Sequence, residues 1–305
     1  MKILLKIENY EKGVIIERLN RFVVKVKIKN RLTLAHLNNT GRLEDFLKKE
    51  EVGLFLPINA DYADSTQTAP TKLKFRLSMI KESKNIYSVI DTQLQMKCFE
   101  IALKKGYISW LRGAKILKRN FMINHSLIDY LIQHKNKKYL LEIKSAVMKY
   151  KNFAMYPDCS SIRGQKHIKE LIDIQTLQTK CRLGRNKNLP RYKPDISPGF
   201  RPDKSGNYPG NSSGRYLGNQ SSNHPGQPSG KNPGDNMYPY KSMVLFIAGM
   251  KNISAFSPNK NADPKIYELL KIAKNKGVKI KAIQIYFDEK RKSIILKNDN
   301  LPVIL

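Results

Sequence analysis

SLIDYLIQHKNKKYLLEIKS, residues 126–145, is the stretch whose reading decides the fold. Two apolar runs, SLIDYLIQ and KYLLEIKS, flank a polar turn, and each run carries one carboxylate: Asp129 in the first, Glu142 in the second. If the chain folds back symmetrically about Lys135–Asn136, residues 129 and 142 lie equally far from the centre and oppose each other. Directly opposed residues on antiparallel strands share a face and sit roughly 5 Å apart. Lys144, two residues beyond Glu142, falls on that same face.

Two carboxylates held that close repel, and neither ionises readily unless a cation lies between them. A hard divalent ion such as Mg²⁺, or Mn²⁺ in its place, accepts one or two carboxylates, a backbone carbonyl and several waters. Asp129, Glu142 and the carbonyl of Ile143 are the protein ligands this pattern offers. Such an ion lowers the pKa of a bound water and stabilises charge on a phosphate. Lys144 would orient that water or offset developing negative charge. This is phosphodiester-hydrolysis chemistry. The competing reading is a salt-bridged face on an exposed sheet.

Outward from the hairpin, the chain divides in three. Residues 1–90 read as strands (GVIIER, RFVVKVKI, RLTLAHL, VGLFLPI, KLKFRLSMI, NIYSVI), with a short helix expected at RLEDFLKKE after the Asn39-Thr40-Gly41 turn, Thr40 being a natural N-cap. Five or six short strands with one helix suit a small OB-like barrel, a plain antiparallel sheet being the alternative. From residue 91 helices alternate with apolar strands, the mark of an α/β domain. Helices are expected at 93–105, at RGQKHIKELIDIQTLQTK and at DPKIYELLKIAKNKG. Strands are expected at YISWL, KILKRNFMI, the two hairpin runs, SMVLFIAGM and VKIKAIQIYF. Residues 184–240 hold nine of the 17 glycines and nine of the 15 prolines, a low-complexity insertion in this domain. Its tyrosines, set among Arg and Lys, are of a kind that stacks on bases; a solvated, tolerated insertion is the preferred reading.

The 305 residues carry 56 Lys+Arg against 25 Asp+Glu, a formal charge of +31. That excess favours a polyanionic partner, nucleic acid or an anionic surface, over an acidic-substrate-repelling or Ca²⁺-buffering role; a merely lysine-rich composition is the alternative. It is unevenly shared. Residues 1–90 have 17 basic and 10 acidic side chains, the insertion eight and three, and the remainder 31 and 12. The polyanion reading therefore points at the second domain. The three cysteines form no CxxC pair, no stretch approaches the roughly 18 apolar residues of a membrane span, and MKILLKIENYEKG does not read as a signal peptide. A reducing, cytoplasmic location is the expectation, with no membrane partner and an unassigned oligomeric state.

Several stretches carry a resemblance: ERLNRFVVKV (17–26), AHLNNTGRLEDFL (35–47), SLIDYLI (126–132), LLEIKS (140–145), YPDCSSIRGQKHIKEL (156–171) and FSPNKNADP (256–264). On these the sequence is similar to the sugar fermentation stimulation protein A family. The resemblance implies an α+β / α/β protein, an N-terminal OB-like β-barrel (1–90) followed by a PD-(D/E)XK nuclease-like domain (91–305). It also implies sequence-nonspecific DNA binding and a regulatory role in sugar, notably maltose, metabolism. Asp129, Glu142 and Lys144 match the nuclease-like motif, and Glu100 on the preceding helix is a candidate for the additional acid of that fold. Arg163 and His167, at i,i+4 on one helix face, would approach a phosphate or the metal-bound water; a partly buried helix histidine is the plainer reading of His167. Arg18, Arg21, His36, Arg42 and Lys166 are the candidate nucleic-acid contacts. Phosphate contacts alone do not tell DNA from RNA, so RNA stays open.

Overall fold

The computed structural model describes residues 1–58, 73–123, 126–182 and 240–305. The expected insertion therefore lies outside the described residues, apart from Tyr240.

Five strands close into a barrel: β2 (Glu11–Arg18), β3 (Val23–Ile28), β4 (Arg31–Leu37), β5 (Val52–Pro57) and β6 (Phe75–Ser83). Their pairings run β4–β3–β2–β5–β6, and a short parallel ladder, Ala35–Leu37 with Phe75–Leu77, returns β6 to β4. Closure removes the free edges that a flat sheet would expose. The inward residues Ile15, Val24, Val26, Ala35, Leu37 and Leu77 are buried, as strand alternation requires.

β6 turns into β7 (Ile86–Val89), which pairs with β15 (Lys279–Asp288) and so joins the barrel to the second domain. There the order continues β15, β13 (Tyr240–Ala248), β10 (Lys137–Ala146), β9 (Ser126–His134), β8 (Lys115–Ile123). β10, β13 and β15 are parallel, and their apolar runs are buried on both faces. Helix α1 (Thr92–Lys104) packs on one face, with Leu94, Phe99 and Ala102 against Tyr139, Leu141 and Met243. Helices α2 (Ile162–Arg182) and α3 (Pro264–Asn275) cover the other, with Ile168, Leu171, Ile266 and Leu270 against Leu140, Val244 and Phe246. A small sheet of β11 (Met148–Tyr150), β12 (Phe153–Tyr156) and β14 (Ala255–Pro258) lies beyond the motif strand.

Three expectations fail. RLEDFLKKE forms turns, because Leu43 takes a left-handed φ of 54° and its N–H donates to Asp158 Oδ2 (2.8 Å), a partner 115 residues away. YISWL is a single 3₁₀ turn at Ser109–Leu111; Gly106 and Gly113 bracket it at positive φ, and Trp110 Nε1 donates to the Asp299 carbonyl. Residues at the very start also leave the barrel. β1 (Lys2–Lys6) pairs with β16 (Ser293–Leu301), which pairs with β15, so β1 extends the second domain's sheet.

The two domains meet at Asp91, the N-cap of α1. This fully buried carboxylate accepts from the N–H groups of Gln93 and Leu94, from Ser78 Oγ and from Asn38 Nδ2. Arg76 Nε lies 2.7 Å away as an ion pair, without hydrogen-bond alignment. Asn39 adds a donor to the Ile90 carbonyl, and a longer one, at 3.5 Å, to Ser145 Oγ next to Lys144. The barrel loop 38–43 is thus anchored on the strand that carries the motif.

Candidate active site

The hairpin turn is tight. Lys135 and Asn136 both take left-handed φ (48° and 57°), the signature of a two-residue type I′ turn. That fixes the register: His134 pairs with Lys137, Leu131 with Leu140, Tyr130 with Leu141. Extending it by one residue would oppose Asp129 to Glu142, as the symmetry of the sequence implies. The ladder stops there. In place of a backbone acceptor, Asp129 Oδ2 takes the N–H of Ile143 at 2.7 Å. The strands part at the carboxylates, and on its other edge Glu142 stays in register with Val244 of β13.

Glu142 is 2 % exposed. Its Oε1 receives Lys144 Nζ at 2.6 Å and also contacts Nδ1 of His167, which α2 brings over the sheet. Its Oε2 is buried and has no hydrogen-bond partner among the described residues. A buried carboxylate oxygen without a donor is costly and calls for an explanation. Burial alone would push the Glu142 carboxyl up, yet Lys144 and His167 hold it below the usual carboxylate range. Lys144 stays charged by the reciprocal effect: burial works against its ammonium, and Glu142 more than compensates. Asp129 goes the other way. Burial and the Glu142 charge push it up to about 7, against the lowering by the Ile143 N–H. Adjacent carboxylates with pKa values driven apart form an acid–base pair poised near neutrality.

A divalent ion fits this donor set in one way only. Among the described residues no three His, Cys, Asp or Glu side chains form a metal-holding group. An ion would draw on Asp129, the unsatisfied Glu142 Oε2, the Ile143 carbonyl and water, a sparse carboxylate set of the kind a hard cation accepts.

The other expected residues disperse. Glu100 does not join the pair. Arg119 grips its two oxygens at 2.6 Å each, and the hydroxyl of Tyr130 adds 2.9 Å. Tyr130 leaves β9 on the face opposite Asp129, so Glu100 belongs to the α1 side. Arg163 and Lys166 are exposed on α2, while His167 is turned inward. Arg18 is engaged within the barrel. Its guanidinium spans the carbonyls of Asn20, Arg21, Gly41 and Arg42 and ties two barrel loops together. His36 is half-buried beside Arg76, and burial with that charge lowers its pKa. Arg21 and Arg42 remain exposed, the latter 3.5 Å from Glu44. Sequence reasoning missed Tyr156, a half-buried tyrosine next to Lys144. Gly164, one turn before His167, leaves it room: a Cβ there would lie 2.5 Å from the Tyr156 hydroxyl. The pairing of Tyr156 with a glycine at the helix start was its only trace in the sequence.

This geometry can be set beside known proteins. Residues 93–183 and 237–291 match the domain described as "Sugar fermentation stimulation protein RE domain", and residues 16–89 match the "SfsA N-terminal OB domain". The chain belongs to the sugar fermentation stimulation protein family. A homolog from Pyrococcus furiosus is 31% identical over 90% of this chain and 88% of its own. One from Archaeoglobus fulgidus is 31% identical over 99% of both. The structure of Pyrococcus furiosus SfsA in complex with Ca²⁺ superposes with a TM-score of 0.73 at 29% identity, covering all of both chains. Family membership fixes the two-domain reading: an OB barrel and a mixed α+β domain. Among the described residues no helix is long and apolar enough to cross a membrane.

Proposed function

We propose that this protein binds nucleic acid through its phosphates, DNA foremost, and hydrolyses phosphodiester bonds at Asp129, Glu142 and Lys144 with a divalent cation. The unpartnered, buried Oε2 of Glu142 beside a near-neutral Asp129 carries the reading. The Ca²⁺ held by the similar Pyrococcus furiosus protein supports the cation, Mg²⁺ or Mn²⁺ being the working ion by its chemistry. When bound, such an ion polarises the phosphate and lowers the pKa of water. The chain's own groups do the rest. Lys144, buried against Glu142, supplies fixed positive charge to the phosphorane-like transition state. His167 holds Glu142 in place from α2. Asp129, whose pKa near 7 belongs to the ion-free site, would give up its proton to help hold the ion.

The +31 charge supports binding led by phosphate contacts, and a regulatory role in sugar metabolism would draw on that binding. It belongs with a reducing, cytoplasmic setting, to which the free Cys98 and Cys159 lend support. The test is incubation of DNA, and separately RNA, with Mg²⁺ or Mn²⁺ beside an Asp129→Asn control. Asparagine keeps the carbonyl that accepts from Ile143, so the fold is retained. Cleavage that needs the metal and vanishes in the variant is expected; cleavage that survives in the variant refutes the assignment.

A further inference from the structure

On the face of the sheet away from Glu142, the lower ends of the strands carry a second concentration of positive charge. Tyr139 and Lys137 alternate away from Leu140 and Glu142 on β10, and Tyr139 packs in the cluster under α1. Lys279, at the start of β15, donates to the Tyr139 hydroxyl (3.3 Å) and stands 4.8 Å from its ring centroid. Lys281, two residues on, lies 5.5 Å over the Trp110 ring. Lys135 caps the hairpin, and Arg112 follows the 3₁₀ turn. Lys135, Lys137, Lys279 and Arg112 lie about His134, which is pushed down from its ordinary value by burial and then by Lys135 and Lys279.

None of these five cations forms an ion pair with a described residue. Asp299, which accepts from the Trp110 indole through its carbonyl, has its carboxylate taken up by the Ser109 N–H and Lys2. Two of the lysines are braced on aromatic rings, which fixes their heads without neutralising them. From Lys137 to Glu142 the strand rises about 17 Å, so the surface is separate from the site in depth as well as in face.

We propose that Arg112, Lys135, Lys137, Lys279 and Lys281 form a second, sequence-independent surface for the phosphate backbone of a nucleic acid. It is distinct from the Asp129–Glu142 site. It rests on the nucleic-acid reading and not on cleavage. Uncompensated, ring-braced cations spaced along strand ends fit a regular line of phosphates. They lack the apolar face that a membrane-surface site needs.

The experiment is fluorescence anisotropy of the full chain on a labelled DNA duplex across a salt series. It compares the unaltered protein, Lys135→Gln/Lys137→Gln/Lys279→Gln, and a control of equal charge change on the barrel, Lys27→Gln/Lys48→Gln/Lys49→Gln. All six lysines are exposed. The first variant is expected to flatten the log–log salt slope by about two to three and to weaken low-salt binding at least about tenfold. The control leaves the slope nearly unchanged. Equal losses in both variants mean that only net charge matters and overturn the inference. Normal DNA binding by the first variant overturns it too. If the unaltered protein binds no DNA, this inference and the nucleic-acid reading fall together. If DNA is bound but uncut, only the hydrolytic reading fails.

Discussion

Asp129 and Tyr130 are neighbours on β9, and each leads to a carboxylate on its own side of the sheet. On the Tyr130 side, Glu100 has every oxygen engaged: two contacts from Arg119 and one from the phenol. On the Asp129 side, Glu142 concentrates Lys144 and His167 on one oxygen and leaves the other bare, while Asp129 is raised to about 7. Both clusters set a carboxylate among basic groups brought together by a helix and the sheet. One is complete as it stands, and the other is incomplete without something further. Satisfied polarity builds structure; polarity left unsatisfied in a buried place is where chemistry is to be sought.

The sharpest way to break that contrast is Glu142→Gln. Cleavage should fall by about 100-fold or more, read as product formation under saturating metal. Leaving Lys144 buried without its partner should also cost about 3 kcal/mol in denaturant unfolding. The double variant Glu142→Gln/Lys144→Met should regain most of that stability and none of the activity. If it regains neither, the pair is not the source of the loss.

Asp129→Asn sharpens the contrast through pH. The folded-state pKa of Asp129 lies above its unfolded value, so the folded protein binds the extra proton between about pH 4 and 7. Without a divalent ion, the stability tied to this group is full at the acid end and is lost as pH rises through 7. The asparagine variant should remove that fall from a series of denaturant melts. Cation affinity should rise over the same interval, since the ion competes with the proton.

The smallest effect is expected on the complete side. Glu100 is held below the usual carboxylate range by Arg119, so its contribution is present above its unfolded pKa and is lost as pH falls. Arg119 is 63% exposed, which limits the pair to about 1 kcal/mol or less. Glu100→Gln should therefore shift unfolding slightly and leave cleavage intact. A large loss of cleavage would return Glu100 to the site.

The legible part of this architecture was local. Asp129 and Glu142 could be matched because a two-residue turn at Lys135–Asn136 leaves a single register, and a period of two then assigns faces. Helices α2 and α3 showed their apolar stripes. What was hidden depended on distant partners. Leu43 was drawn out of a helix by Asp158, and Trp110 was held in a turn by Asp299. Arg18 looked like a free cation because the four carbonyls it binds are backbone groups with no signature in side-chain identity. Glu100 was misplaced for a related reason: helix periodicity gives a face, and which side of the sheet the helix will cover is decided by the connection.

The pairing of Lys2 with Leu296 also sets an order of events during synthesis. A ribosome adding about 5–20 residues per second makes β1 some 15–60 s before β16 exists to receive it. Through that interval the barrel can close on its own strands, whereas β1 waits for β16. The apolar side of Ile3-Leu4-Leu5 stays unpaired as the chain emerges, an opening for mispairing that closes only once β16 has been made.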